Sequence, residues 1–204
     1  MNPILVEIPK ELANLQLPAP ELKLFYENIN NRVIWIETDI DDALLDVSKY
    51  ILQWNREDIN LPIEERKPIK LIIHTFGGEL YACLSLVNVM NLSKTPIYTY
   101  NIGMCASAGA LIFIAGTKKF TCTESTFLIH GGSCNLEGTS SQVIDNAENY
   151  KKMQEKIKAH ILLNTTMDKK TLNKNYKNEW YITPDECIKY GIADEILTDI
   201  SSLF

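Results

Sequence analysis

The sequence predicts an α/β fold built around one main domain, and three observations carry that expectation. Between residues 33 and 163, short β-branched or apolar runs alternate with stretches whose apolar residues recur at helical spacing. Strand–helix–strand–helix order implies parallel strands joined by crossover helices. Eight of the nine glycines fall between Gly77 and Gly138, inside the most apolar part of the chain. Glycine concentrated in core sequence marks close backbone approach and special turns, where sites are built.

The elements follow in order. Four of the eight prolines lie in the first twenty residues, at Pro3, Pro9, Pro18 and Pro20, so residues 1–30 read as an extended or flexible arm and 31–204 as the folded domain. Val33 to Ile36 is a β-branched strand candidate. Asp41-Asp42 then open a helix with Leu44, Leu45, Val47, Ile51 and Leu52 on one face. Ile69 to His74 is a buried strand, with His74 alternating inside it; Gly77-Gly78 follow, then an apolar helix from about Leu80 to Leu92. Pro96 to Tyr100 is the next strand, turned at Gly103 into a small-residue helix from about Ser107 to Ala115. Phe120 to Thr123 and Thr126 to Ile129 are two further strands, followed by a long helix from about Ser140 to Leu163. Thr183 as N-cap, Pro184 at the first helical position and Glu186 three after the cap start a short helix that Gly191 ends.

Composition excludes several classes. At 204 residues, with 46% hydrophobic and 23% charged residues, the chain has an ordinary globular balance. A formal charge of -6 argues against a phosphate backbone or an anionic membrane as principal partner. The lysines between Lys151 and Lys177 are interspersed with Asp and Glu, which reads as a solvated helix face. The five cysteines, Cys83, Cys105, Cys122, Cys134 and Cys187, form no CxxC pair, so neither a disulfide framework nor a metal site is expected, but reduced thiols in a cytoplasmic protein. Glu7 closes the first apolar run, and the stretch from Ile102 to Gly116 is too short and glycine-rich to span a bilayer. No nucleotide-binding glycine motif occurs, so neither ATP nor any other cofactor is expected on this chain.

Three places can carry chemistry. Ser107 stands after a strand, at the expected start of a helix, among small neighbours that leave room for a substrate carbonyl. Free backbone N–H groups and the positive helix end there suit an oxyanion. The alternative is a serine that merely caps the helix. His130 ends the strand Thr126–Ile129 before Gly131-Gly132 and is the best-placed of three histidines to act as a general base; a structural strand-end histidine is the competing reading. Gly77-Gly78, between strand and helix, suits presentation of a backbone N–H to an anionic oxygen. A carboxylate orienting the histidine would come from Glu179 or Asp185, and spacing does not choose between them.

From about Asn31 to Leu197 the chain resembles the proteolytic subunits of the Clp proteases. His74-Thr75-Phe76-Gly77-Gly78 resembles the family's Ser-Pro-Gly-Gly strand end, and Ala106-Ser107-Ala108-Gly109-Ala110 its nucleophile segment Ala-Ser-Met-Gly-Ala. Phe127-Leu128-Ile129-His130 resembles the run ending in the catalytic histidine, and Tyr190-Gly191-Ile192-Ala193-Asp194 the family's Tyr-Gly-Leu-Ile-Asp. The chain departs from the pattern at Phe76, where the family has proline, at Ala108 for methionine, and at Glu179 for aspartate.

The resemblance implies a ClpP/crotonase-like spiral of αββ units with a protruding long-helix handle. It assigns Ser107 as nucleophile, His130 as base, Glu179 as the acid, and the N–H groups of Gly78 and Ala108 as an oxyanion hole. Gly77 and the run Gly132, Ser133, Cys134 and Asn135 would bind an extended, unfolded polypeptide as a strand edge. Heptameric rings stacked as a tetradecamer, fed by an AAA+ unfoldase ATPase, are implied as well. The apolar stripe Val143, Ile144, Ala147, Tyr150, Ile157 and Ile161 on the long helix independently suggests a homo-oligomer. Rival readings are a ring subunit with a weak or inactive site, resting on Glu179 and Phe76, and a crotonase-like CoA-thioester enzyme, which has no need of a Ser–His pair. A Ser–Lys protease finds no lysine placed to replace His130.

Overall fold

The computed structural model describes residues 19–203, and the chain divides into two units at Asn31/Arg32. Within the first, Pro20–Asn30 is a helix, α1, which corrects the reading of residues 20–30 as extended. Pro20 sits at the start of the helix, where a missing N–H costs nothing, and good helix formers follow it. The last of four closely spaced prolines therefore begins an element instead of breaking one. The remainder of the expected arm, residues 1–18, lies outside the described residues.

The second unit alternates strands and helices: β1 (Val33–Ile36), α2 (Leu45–Glu57), β2 (Ile69–Thr75), α3 (Leu80–Leu92), β3 (Ile97–Ala106), α4 (Ala108–Ile114), β4 (Lys118–Cys122), β5 (Thr126–Ile129), α5 (Ser140–Asn164), α6 (Lys169–Asn175), β6 (Trp180–Ile182), α7 (Pro184–Lys189) and β7 (Glu195–Leu197). The strands form a sheet in the order β1-β2-β3-β4-β7, all parallel, with β5 parallel to β3 and β6 antiparallel to β5. This is the α/β class that the strand–helix order predicts.

Strand β3 runs ten residues, to Ala106, and does not turn at Gly103 as the glycine suggests. Its first half pairs β4, from Tyr98↔Lys118 to Asn101↔Thr121, and its last three residues pair β5, from Met104↔Thr126 to Ala106↔Leu128. A second partner strand thus carries β3 past the glycine. His74 also departs from expectation. A register shift between Ile73 and Thr75 leaves its ring exposed, with Nδ1 accepting from the Met104 N–H at 3.2 Å and the ring edge-on to Phe76.

Helix α4 is buried at every residue, packed under β2 and β3, with Phe113 against Phe127 at 5.6 Å between ring centroids. An all-apolar seven-residue helix can exist only in such surroundings. Helix α5 is its opposite: of 25 residues only Ile157 and Ile161 are buried, and its start carries a full capping box between Thr139 and Gln142. The sequence-expected handle is this exposed first half.

A buried ion pair fastens α2 to the β1 entry. Arg32 donates to both Asp58 oxygens, at 2.6 and 2.8 Å, and Thr95 Oγ1 donates to the same carboxylate at 2.8 Å. These bonds, the Arg32 bond first, hold the Asp58 carboxyl below the ordinary carboxylate range. The stabilisation is therefore complete above about pH 4 and is lost as pH falls through the depressed value. Asp58→Ala removes two of the Arg32 bonds and leaves the guanidinium the Lys67 carbonyl and the Glu57 carboxylate at 3.5 Å, so unfolding at neutral pH is expected to become easier by about 1.5–3 kcal/mol, as read by urea titration. The acid side of the stability curve should flatten in the same variant.

Candidate active site

The sheet places the reactive side chains. Ala106 pairs Leu128 at the end of β3, and the Ser107 N–H donates to the Leu128 carbonyl at 3.0 Å, so the first residue past β3 meets the chain just before it leaves β5. His130 follows two residues later. Its Nε2 lies 2.8 Å from Ser107 Oγ, the separation of a hydrogen bond able to pass a proton. Both residues are half-buried.

Ser107 has φ 55° and ψ −117°, one of two non-glycine residues with positive φ among the described residues. A side chain in that conformation carries strain of order 1–3 kcal/mol. The sharp strand-to-helix turn lifts Oγ out of the ladder and puts the first N–H groups of α4, including that of Ala108, beyond any intrahelical acceptor. The serine is at the helix cap, as the bland reading holds, but its side chain makes no capping bond and faces the imidazole instead.

Gly77 and Gly78 complete one wall. The Gly77 carbonyl accepts from the Ile40 N–H and the Ile40 carbonyl from the Glu79 N–H, both at 2.7 Å, a parallel bridge that turns the N–H of Gly78 away from Ile40. Their φ values are 108° and 143°. A Cβ on Gly77 would stand 2.7 Å from Ser107 Cβ, and one on Gly78 would collide with the Ile40 carbonyl, so no larger residue fits. Thr75 braces the turn: its Oγ1 donates to the Thr38 carbonyl at 2.7 Å and accepts from the Gly77 N–H at 3.2 Å.

A cleft of about 260 Å³ opens between these groups and α5, lined by Gly78, Ser107, Ala108, His130 and Gly132. Its far side comes from residues the sequence reading did not assign to the site: Leu111, Tyr150, Gln154, Ile157, Ile161 and Tyr176. Residues 150, 154, 157 and 161 share one helix face, which is the available signal. Periodicity marks Tyr150, Ile157 and Ile161 as a stripe and leaves open what the stripe meets. Ile157 and Ile161 are buried within the unit itself, whereas Ile144 is 59% exposed.

The carboxylates separate. β6 runs antiparallel to β5, and the ladder ends with Ile129 opposite Trp180, so His130 and Glu179 are the residues next beyond the last pair. The Glu179 side chain is nevertheless exposed and accepts from Tyr181 Oη at 2.9 Å; among the described residues it makes no hydrogen bond to His130. Asp185 lies in the first turn of α7. Residues 132–135 leave β5 as exposed chain outside any strand, so the expected edge is present as unpaired backbone, not as a formed strand.

The buried thiols Cys83, Cys105 and Cys187 are quiet. Cys83 donates to the Ala108 carbonyl at 3.2 Å and burial pushes its thiol up to about 12; burial also raises Cys105 and Cys187. Among the described residues no group of three or more His, Cys, Asp or Glu side chains is placed to hold a metal, and no helix is long and apolar enough to cross a membrane.

The family model described as Clp protease matches residues 21–199. The ATP-dependent Clp protease proteolytic subunit of Deinococcus radiodurans is 25% identical over 171 residues, 83% of this chain and 81% of that protein. Proteolytic subunit 4 of Rhodococcus jostii is 28% identical over 184 residues, 88% and 92% of the two chains. Proteolytic subunit 2 of Bifidobacterium longum is 27% identical over 194 residues, 92% and 89%.

Proposed function

This chain belongs to the Clp protease family, and on that premise we propose that it is a serine-type endopeptidase subunit that hydrolyses unfolded polypeptides. The observation that carries the reading is the 2.8 Å contact between Ser107 Oγ and His130 Nε2 at a strained turn opening a buried helix. His130 takes the Ser107 proton as Oγ attacks a peptide carbonyl. The N–H groups of Gly78 and Ala108 receive the developing oxyanion, and the imidazolium returns its proton to the leaving amine. Water, deprotonated by His130, then releases the acyl-enzyme. An extended peptide lies along the unpaired backbone of Gly132, Ser133, Cys134 and Asn135, beside Gly77, and is held mainly by main-chain bonds with little sequence selectivity.

Glu179 completes the triad by moving from Tyr181 to the Nδ1 side of His130, which its register position permits. The resemblance supports heptameric rings stacked as a tetradecamer in the cytoplasm, with an AAA+ unfoldase ATPase delivering substrate. Seclusion of the sites in such a chamber would reconcile low selectivity with a cytoplasmic setting. A second reading, a ring subunit with a weak or inactive site, is favoured by one observation, the Glu179–Tyr181 bond.

A fluorophosphonate probe distinguishes them. The protease reading expects a covalent adduct on Ser107 by peptide mass spectrometry, lost in His130→Ala. Absence of the adduct from the assembled parent chain, under conditions that label other serine hydrolases, would favour the inactive subunit.

A further inference from the structure

Behind His130 the chain passes through Gly131 and Gly132, and each glycine packs on a tyrosine. A Cβ on Gly131 would stand 3.3 Å from the Tyr176 carbonyl oxygen and 3.6 Å from its ring. One on Gly132, whose φ is 73°, would stand 3.3 Å from the Tyr150 hydroxyl. Tyr150 Oη donates to the Gly131 carbonyl at 2.7 Å. Since β5 ends at Ile129 and residues 131–137 join no strand, this side-chain bond replaces the ladder as the anchor of that carbonyl.

A second bond lies beside the anchor: one turn along α5, Gln154 Oε1 accepts from Tyr176 Oη at 2.6 Å. Two side chains of α5 therefore hold the segment behind His130, Tyr150 through the Gly131 carbonyl and Gln154 through Tyr176, which itself packs on Gly131, along the wall of the same cleft as Ser107. Hydrogen bonds of this kind in partly buried surroundings rigidify what they touch. Two consecutive glycines otherwise have the largest backbone freedom a chain can have, directly beside a histidine whose ring must stay within hydrogen-bond reach of Oγ. On the other side of His130, the Glu179 carboxylate is engaged by Tyr181.

We infer that Tyr150 is a positioning residue for the Ser107–His130 pair: its bond to the Gly131 carbonyl pins the Gly131–Gly132 turn to α5 and so fixes where the imidazole stands. The inference rests on the endopeptidase reading of that pair. It adds a role for the long helix in the chemistry itself, carried by a side chain outside the triad.

The test is Tyr150→Phe in the full chain, which keeps the ring and removes the donor. Misplacement of a reacting group by a fraction of an ångström supports an expected fall of about tenfold in Ser107 labelling rate and in peptide kcat, with KM within about twofold. Amide hydrogen exchange across 131–137 should rise about tenfold, while the amides of β2 keep their parent rates as the control for intact folding. Gln154→Met, which removes the acceptor of the Tyr176 hydroxyl and leaves the Tyr150 donor in place, should give a smaller loss of the same kind. Parent labelling and parent exchange in Tyr150→Phe would overturn the inference, as would a rise in KM at unchanged kcat, which would make Tyr150 a substrate contact. If the parent chain itself fails to label, the endopeptidase reading falls, and the exchange measurement alone then decides whether Tyr150 pins the turn.

Discussion

Ser107→Ala is expected to leave a folded, normally assembled chain that hydrolyses short peptides about 10⁶-fold more slowly than the parent. Alanine keeps a Cβ at φ 55°, so the turn is neither relieved nor newly strained, and the loss is confined to Oγ and its bond to His130. Nucleophile and base act as a unit, so adding His130→Ala should cost almost nothing more, and the residual rate should reflect the Gly78 and Ala108 N–H groups alone. The comparison requires an equal assembly state in the two chains, read by light scattering. A Ser107→Ala chain that still turns over peptide at the parent rate would remove Ser107 from the chemistry.

The second large effect concerns the acid. Glu179→Gln preserves shape and removes the charge; if the carboxylate moves from Tyr181 to His130 during the reaction, turnover should fall about 10⁴-fold, the cost of losing a triad acid. Glutamate is chemically admissible in such a triad, and its extra methylene lengthens the reach from a backbone position just past the end of the β5–β6 ladder. Stopped-flow acylation with an activated ester reads this step. An unchanged rate in Glu179→Gln would mean that Ser107 and His130 work as a dyad and that Glu179 serves only Tyr181.

Much of this arrangement was legible in residues 69–130, and for a physical reason. Buried parallel strands and α4 are dominated by apolar and β-branched residues, so Ile69–Ile73 and Ile97–Tyr100 declare themselves despite Lys70 and Thr99, and Leu111–Ile114 does so without interruption. Ser107 and His130 then stand out as polar groups at the ends of such runs. Helix α1 was missed because proline marks a helix start as well as a break. The second half of β3 is hidden because, although Thr126–Ile129 reads as a strand, its pairing with residues 104–106 depends on contacts distant in sequence. Tyr150, Gln154 and Tyr176 escaped because a helix face can be read from spacing, whereas the surface it meets depends on contacts distant in sequence. The three-residue β6, whose pairing with β5 leaves Glu179 and His130 next beyond the ladder, is too short for alternation to reveal.

The pairing of β5 with β6 also has a bearing on biosynthesis. His130 emerges from the ribosome well before Trp180, yet the strand that carries it is flanked on one side only by β6. Until that later segment has been translated and has docked, β5 has an open edge, Glu179 does not yet exist, and Tyr176, which backs Gly131, is missing. A nascent chain can thus build the sheet and the buried helix below Ser107 before the β6 side of the site is in place. If the pair acts as proposed with Glu179, full hydrolytic competence would come late in synthesis, after most of the sheet has formed.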